Sequence, residues 1–262
     1  MRDKIIPIAE AAGKILLKYF RSDLEVIYKN DDTFDPVTAA DKESDEYIRS
    51  QLTALFPEDL ILSEENDDVP TDYSKRIWMV DPLDGTNAFV SGTNTFSILI
   101  GLWEADTILF GLAYAPAANK MYVAEKGKGA FERQPDGSFK RMHVSDIESL
   151  SEARLITKNP IKDKRPLNEQ TAKLKVTSII ESSRTKLARI AAGEAEVHLN
   201  TNFRASKWDT LAVQLMLEEA GGVVVDLNGN PLDYKQLDLR WENSFVATNN
   251  KAMLEQVLAA IR

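Results

Sequence analysis

Between residues 3 and 20, Ile5, Ile8, Ala9, Ala12, Ile15, Leu16, Tyr19 and Phe20 recur at helical spacing, with lysines and Glu10 elsewhere on the wheel. That pattern predicts a helix with one buried face. Residues 24–29 alternate weakly and predict a strand leading into a polar loop over 30–35. Pro36-Val37-Thr38 then launches a second helix, whose stripe of Ile48, Leu52 and Leu55 faces the core and which Pro57 ends. Two short apolar runs follow, Leu60-Ile61-Leu62 and Ile77-Trp78-Met79-Val80, each of the kind that forms a buried strand. Both stop on acids: Ser63-Glu64-Glu65 after the first, Asp81-Pro82-Leu83-Asp84-Gly85-Thr86 after the second. The spacing places Asp81 and Asp84 in the turn beyond their strand. A β-rich block over 95–103, 107–114, 120–125 and 129–133 reads as an antiparallel meander.

From about residue 150 the texture changes to alternating elements: strands over 153–157 and 177–180, a helix over 184–193 and a short strand over 197–200. A buried helix over 208–220 ends at Gly221-Gly222, with Val223-Val224-Val225 as a strand behind it. A tight turn over 226–231, a strand over 245–248 and a helix over 251–261 complete the chain. The expected fold class is α/β (α+β). Residues 1–149 form an N-terminal α+β half bearing the acidic motifs and 150–262 a C-terminal α/β half, together one catalytic unit.

With 262 residues, 44% of them hydrophobic, the chain can bury a substantial core. Its 32 Lys and Arg against 41 Asp and Glu leave a formal charge of −9, which repels a phosphate backbone or an anionic membrane. Neither a nucleic acid polymer nor a membrane is expected as a partner. A small phosphorylated metabolite stays in play, because carboxylates that bind divalent cations turn locally positive. The absence of cysteine excludes thiolate nucleophiles, disulfides and Cys-ligated metal. His143 and His198 stand too far apart in sequence for a histidine-built zinc motif and are expected to be structural or exposed. Met1 to Lys4 is charged and the apolar positions after it are interrupted, so no signal peptide is expected, and a cytoplasmic location is the default.

The acids carry the candidate chemistry. Carboxylates as close as Asp81 and Asp84 repel unless a proton or cation lies between them, and Mg²⁺ takes oxygen ligands. Gly85 lets backbone approach a ligand, and Thr86 is placed to cap a following helix whose N–H groups face an anion. An Asp/Gly-rich surface turn is the plain alternative. Asp41 near the start of one helix reads on spacing alone as a residue that complements the helix dipole, and Asp209 at the start of another reads either as a cap or as a ligand. Lys126-Gly127-Lys128-Gly129 lacks the spacing of a phosphate loop and reads as a hairpin turn. If Glu64, Asp81, Asp84 and Asp209 converge, they suit a pair of Mg²⁺ ions roughly 3.5–4 Å apart that clamp an in-line phosphoryl transfer. Thr86 paired with Asp41 then orients the attacking water and takes its proton. A haloacid dehalogenase-type phosphatase needs a different acid spacing, Asp-x-Asp, and a covalent aspartyl-phosphate.

Ser63-Glu64-Glu65, Asp81-Pro82-Leu83-Asp84-Gly85-Thr86, and Trp208-Asp209-Thr210-Leu211-Ala212 with Glu219-Ala220-Gly221-Gly222, taken in order, resemble the signature motifs of the inositol monophosphatase superfamily. Pro36-Val37-Thr38-Ala39-Ala40-Asp41 resembles its upstream segment. The resemblance implies a layered α-β-α-β-α sandwich and a lithium-sensitive phosphatase using about two or three Mg²⁺. By motif position it makes Glu64, Asp81, Asp84, Asp209 and the Leu83 carbonyl metal ligands. It sets Gly85 and Thr86 on phosphate and gives Asp41, Glu64 and Thr86 the catalytic roles, with Glu64, Leu83, Asp84, Gly85, Thr86 and Asp209 lining the substrate. Tyr114-Ala115-Pro116 and Gly229-Asn230-Pro231-Leu232-Asp233-Tyr234 look like the 3'(2'),5'-bisphosphate nucleotidase branch, whereas Asn87 and Phe89 look more like the inositol phosphatases. Asn200 stands where the latter carry a substrate-contacting acid, and Arg204 or Lys207 either supplies a basic residue near substrate or is a solvated loop charge. The expected activity is hydrolysis of adenosine 3',5'-bisphosphate, with inositol 1-phosphate or fructose 1,6-bisphosphate, or a non-catalytic phospho-ligand protein, as alternatives. A monomer or homodimer is expected.

Overall fold

The computed structural model describes residues 1–22, 27–28, 36–66, 69–157, 169–174, 176, 178–181, 185–200, 205–236, 238–241 and 244–262. Helix α1 (Arg2–Tyr19) buries Ile5, Ile8, Ala9, Ala12 and Leu16, the stripe its spacing predicts. Strands β1 (Ile27–Tyr28) and β2 (Pro36–Val37) pair antiparallel. Pro36 and Val37 therefore belong to a strand, and α2 (Ala39–Leu55) starts only after Thr38, whose hydroxyl caps it. The expected loop over 30–35 and residues 24–26 and 29 of the expected strand lie outside the described residues.

One sheet is seven-stranded, in the order β3 (Leu60–Ser63), β4 (Ile77–Asp84), β5 (Ser97–Glu104), β6 (Thr107–Ala115), β7 (Lys120–Glu125), β8 (Gly129–Arg133), β9 (Phe139–Arg141). Strands β5 to β8 form the expected antiparallel meander, which β4 extends at one end and β9 at the other, while β3 and β4 run parallel. Between β4 and β5 stands a single turn and a half of helix, α3 (Thr86–Val90). The second sheet has five strands in the order β11-β10-β12-β14-β13: β10 (Arg154–Thr157), β11 (Ser178–Glu181), β12 (Val197–Asn200), β13 (Val223–Asp226) and β14 (Phe245–Thr248). Helices α4 (Glu169–Lys173), α5 (Lys186–Ala191), α6 (Lys207–Glu219) and α7 (Lys251–Ile261) connect and flank it.

The layers follow from which faces are apolar. Ile5, Leu16, Ile48 and Leu52 of α1 and α2 pack with Trp78, Val80, Ile98 and Ile100 on one face of the first sheet. The other face, with Met79, Leu99 and Trp103, packs against Leu211, Ala212 and Met216 of α6 and Leu187 and Ala188 of α5, which in turn meet Ile156 and Ala247 of the second sheet. Met253 and Val257 of α7 and Leu174 just past α4 cover that sheet's far side. This is the expected α-β-α-β-α sandwich. Close approach of α6 is what ties it to the first sheet: a Cβ on Gly111 would lie 2.3 Å from Ala212 O, so only glycine admits the helix backbone there. Among the described residues no helix is long and apolar enough to cross a membrane.

Candidate active site

Because β3 and β4 are parallel neighbours, their carboxyl ends lie side by side. Glu64 follows Ser63, and its N–H donates to Val80 O at 3.2 Å, carrying the pairing one residue past β3. Asp81 and Asp84 do not lie in a turn beyond β4, as the apolar run suggested; the strand continues through both. Asp81 stands opposite Leu99 and Asp84 opposite Ser97, so β4 covers three residue steps where β5 covers two. The extra residue is a bulge. In an unbroken strand, residues three apart point to opposite faces, and the bulge turns both carboxylates to the same side.

Helix α6 delivers Asp209 from the opposite direction. Carboxylate oxygens of Asp81, Asp84 and Asp209 all lie within 4.8 Å of one another. Leu83 N–H donates to Asp81 Oδ1 at 3.0 Å, and Ser97 Oγ donates to Asp84 Oδ2 at 3.2 Å. Burial, followed by the charges of Glu64, Asp84 and Asp209, pushes the Asp81 carboxyl well above the usual carboxylate range. Glu64 is thus close enough to act on Asp81 although it stands outside the tight group of three. An all-oxygen, acidic donor set whose central member is disfavoured as an anion fits a hard divalent cation.

Beside the acids lies a hydroxyl corner. Gly85, at φ 98°, precedes α3 in the left-handed region that other residues enter only with strain. Gly85, not Thr86, therefore takes the cap position. The Thr86 hydroxyl turns back instead, 3.2 Å from Asp41 Oδ1 and 3.2 Å from Leu83 O. Asp41 is held in turn by Thr38, whose N–H and Oγ1 donate to its Oδ2 at 2.8 and 2.6 Å. Burial pushes the Asp41 carboxyl up, while the bonds from Thr38 and Thr86 draw it back. The structure thus gathers Asp41, Glu64, Asp81, Leu83, Asp84, Gly85, Thr86 and Asp209 around one place.

Residues 2–262 match the model of the Inositol monophosphatase family. The chain belongs to the inositol monophosphatase family. It is accordingly a phosphatase of phosphate monoesters. A 3'(2'),5'-bisphosphate nucleotidase CysQ of Aggregatibacter actinomycetemcomitans is 32% identical, over 94% of this chain and 89% of its own. A histidinol-phosphatase of Chlorobaculum parvum is 34% identical, over 98% and 94%. The crystal structure of the extragenic suppressor protein suhB of Bartonella henselae superposes with a TM-score of 0.83 at 25% identity, covering 100% of this chain and 98% of that one.

In this inositol monophosphatase family member, several residues singled out in the sequence prove to be scaffold. Lys207 is not a solvated loop charge or a base open to substrate. It is fully buried, with Nζ 2.5 Å from Gln236 O and 3.1 Å from Tyr73 OH, and burial lowers its pKa to about 8 against the pull of Asp233 and Asp238. The bond from Lys207 N–H to Leu239 O at 2.9 Å lays this first residue of α6 against the loop after β13, which encloses its side chain. Arg204 lies outside the described residues. Tyr234 OH meets Thr210 Oγ1 and Gln214 Oε1 of α6 at 3.0 and 2.8 Å, and Tyr114 packs beside Gly13 of α1. The Lys-Gly-Lys-Gly segment is the expected hairpin turn, its Gly127 and Gly129 N–H groups both held at 2.9 Å by the Glu219 carboxylate. His143 is exposed, and His198 is buried against Ile156 O with its pKa pushed down to about 3.

Sequence reasoning missed Thr38 and Ser97, which donate to Asp41 and Asp84, and Ser44 and Asp45, which bond to Pro82 O and Ser63 Oγ. Asp45 left a signal. It sits on the same helical stripe as Ile48 and Leu52, where a carboxylate interrupts an apolar face.

Proposed function

We propose that the protein is a Mg²⁺-dependent phosphomonoesterase that uses water as its nucleophile, and that its substrate is a 3'(2'),5'-bisphosphate nucleotide such as adenosine 3',5'-bisphosphate. The observation that carries the reaction is the adjacency of two corners: carboxylates within 4.8 Å of one another, and a Thr86–Asp41 pair bonded at 3.2 Å. Glu64, Asp81, Asp84 and Asp209, with the Leu83 carbonyl, would hold about two or three Mg²⁺. Cations held there would neutralise phosphate charge, polarise the phosphoryl oxygens and acidify water. Thr86 Oγ orients the water, and Asp41, anchored through its other oxygen, receives the proton by way of that hydroxyl. The backbone at Gly85 and Thr86 faces the phosphate oxygens. No protein nucleophile is required.

Three nucleotidase relatives, 29–32% identical, support the substrate, as does the resemblance of the segments around Tyr114 and Tyr234. A second reading has its own support: the histidinol-phosphatase relative is 34% identical over nearly the whole chain. Phosphate release in Mg²⁺ from adenosine 3',5'-bisphosphate, histidinol phosphate, inositol 1-phosphate and fructose 1,6-bisphosphate tests both. A preference for the nucleotide of tenfold or more in kcat/KM, about 1.4 kcal/mol of transition-state discrimination, is the expected result. Equal or better turnover of another ester overturns the substrate, and release from none overturns the reaction.

A further inference from the structure

One face of α2 touches every ligand-bearing segment of the first sheet. Asp41, Ser44 and Asp45 are spaced as i, i+3 and i+4 and so share that face. Asp41 Oδ1 meets Thr86. Ser44 Oγ donates to Pro82 O at 3.0 Å, inside the bulge between Asp81 and Asp84. Asp45 Oδ1 accepts a bond from Ser63 Oγ, the residue immediately before Glu64. Asp45 is 2% exposed and completes its bonding through Oδ2, which accepts Arg49 Nε at 2.7 Å.

We propose that Asp45 is a positioning residue for the acidic cluster: through Ser63 it sets the turn that aims Glu64, while Ser44 sets the bulge that aims Asp81 and Asp84. Packing alone does not account for a carboxylate here. The position lies on the buried stripe of Ile48 and Leu52, where an apolar side chain would fill the space without desolvating a charge, and a buried ion pair commonly gives no net stability over such a replacement. What Asp45 provides that an apolar residue cannot is a fixed acceptor at one point on β3. Ser44 has the matching task on β4. Pro82 contributes no N–H to the ladder and a bulge leaves a residue unpaired, so a donor from outside the sheet is what holds its carbonyl in one orientation. The face of α2 is therefore a template that keeps the phosphate corner and the strand-borne acids in mutual register.

The inference rests on reading Glu64, Asp81, Asp84 and Asp209 as metal ligands, and its test separates the two. Mn²⁺ binding to the metal-stripped full chain is measured by calorimetry, alongside the Mn²⁺ dependence of turnover, for wild type, Asp45→Ala, Asp45→Asn, Ser63→Ala and Asp209→Ala. Residues that orient metal ligands cost about 10- to 100-fold in metal affinity when removed. Asp45→Ala is expected to weaken Mn²⁺ binding by at least tenfold, with kcat at saturating metal falling less than the affinity. Asp45→Asn keeps an acceptor for Ser63 and should recover most of the loss. Ser63→Ala, which deletes one hydroxyl and provides the readout if Asp45→Ala does not fold, should reproduce the weakening. Wild-type affinity in Asp45→Ala or in Ser63→Ala overturns the proposal, as does an Asp45→Asn variant no better than Asp45→Ala. If Asp209→Ala itself binds Mn²⁺ like wild type, the metal reading falls and the inference with it; if only Asp209→Ala loses binding, the inference alone falls.

Discussion

The first turns of α2 and α6 carry the same device and aim it at different partners. In each, the aspartate at the third helical position accepts, on Oδ2, the N–H of the residue before the helix: Thr38 to Asp41 at 2.8 Å, and Ser206 to Asp209 at 2.5 Å. Such a bond satisfies one of the helix's unpaired donors and clamps the carboxylate. A clamped carboxylate still has its second oxygen. Asp41 turns its own toward the Thr86 hydroxyl, whereas Asp209 joins Asp81 and Asp84. The cap reading and the site reading of these acids are not exclusive: the cap bond is present at both helix starts and takes up one oxygen of each carboxylate. Capping is how the carboxylate is oriented, and the neighbour it meets decides its chemistry: beside a hydroxyl it can take a proton, and among carboxylates it can share a cation.

The largest effects should separate these two roles. Asp209→Ala and Asp81→Asn each remove a carboxylate from the cluster, so turnover should fall at least about 1000-fold, about 4 kcal/mol in the barrier, and Mn²⁺ affinity should fall with it. Far-ultraviolet circular dichroism should stay unchanged, since neither change touches the apolar core. Near-normal turnover in either variant would remove the basis for the site. Asp41→Asn should instead keep its Mn²⁺ affinity and lose roughly 100- to 10,000-fold in kcat, the usual worth of a positioned base. Were Asp41→Asn to lose metal and turnover together, the division between the helix starts would collapse into a single metal site.

How legible these roles were depended on the distance over which each signal acts. The stripe of α1, the apolar runs of β3 and β4 and the meander are short-range patterns, and the structure follows them closely. The bulge at Pro82 is not such a pattern. It depends on β5 pairing Leu99 and Ser97 across from Asp81 and Asp84, so the strand reads as ending four residues early. Lys207 misled for the same reason: in sequence it is a cation beside polar residues, and only the folding-back of the loop bearing Gln236 encloses it. The acids themselves were legible because their spacing within each motif is local. The side chains that aim them were not, since Asp45 is 18 residues from Ser63, and Ser44 is 38 residues from Pro82.

A smaller effect should show the cost of crowding the acids. In the folded, metal-free protein the Asp81 carboxyl is raised, so between its ordinary value and its folded value the folded state binds a proton that the unfolded chain releases. Asp81 therefore lowers stability most above its folded value and less as pH falls toward the ordinary range. Metal-free Asp81→Asn should melt higher than wild type at pH 8, by a difference on the order of 0.5–2 kcal/mol, and the gap should close on acidification. Asn keeps an oxygen for Leu83 N–H, so the comparison isolates the charge. A gap that is independent of pH would place the strain elsewhere.

The smallest effect probes the clamp on Asp41. Its carboxyl must be ionised to take a proton, so activity should fall as pH drops through its folded value, which burial sets above the ordinary carboxylate range. Thr38 opposes that rise with a side-chain and a backbone bond, the two largest lowering influences. Thr38→Val deletes the hydroxyl and keeps the shape, so the acid limb of kcat should move to higher pH while the alkaline side is unaffected. The same hydroxyl caps α2, accepting Ala40 N–H at 3.2 Å, and its loss should cost about 1 kcal/mol of stability at any pH. The two readouts have different origins and can be told apart. A stability loss without movement of the acid limb would mean that Thr38 caps the helix and leaves Asp41 alone, which would restore the older choice between cap and catalytic roles at α2. Movement of the limb with metal affinity unchanged would tie the clamp to proton transfer, and would leave Asp209, whose oxygen is clamped the same way, as the helix start that answers to metal.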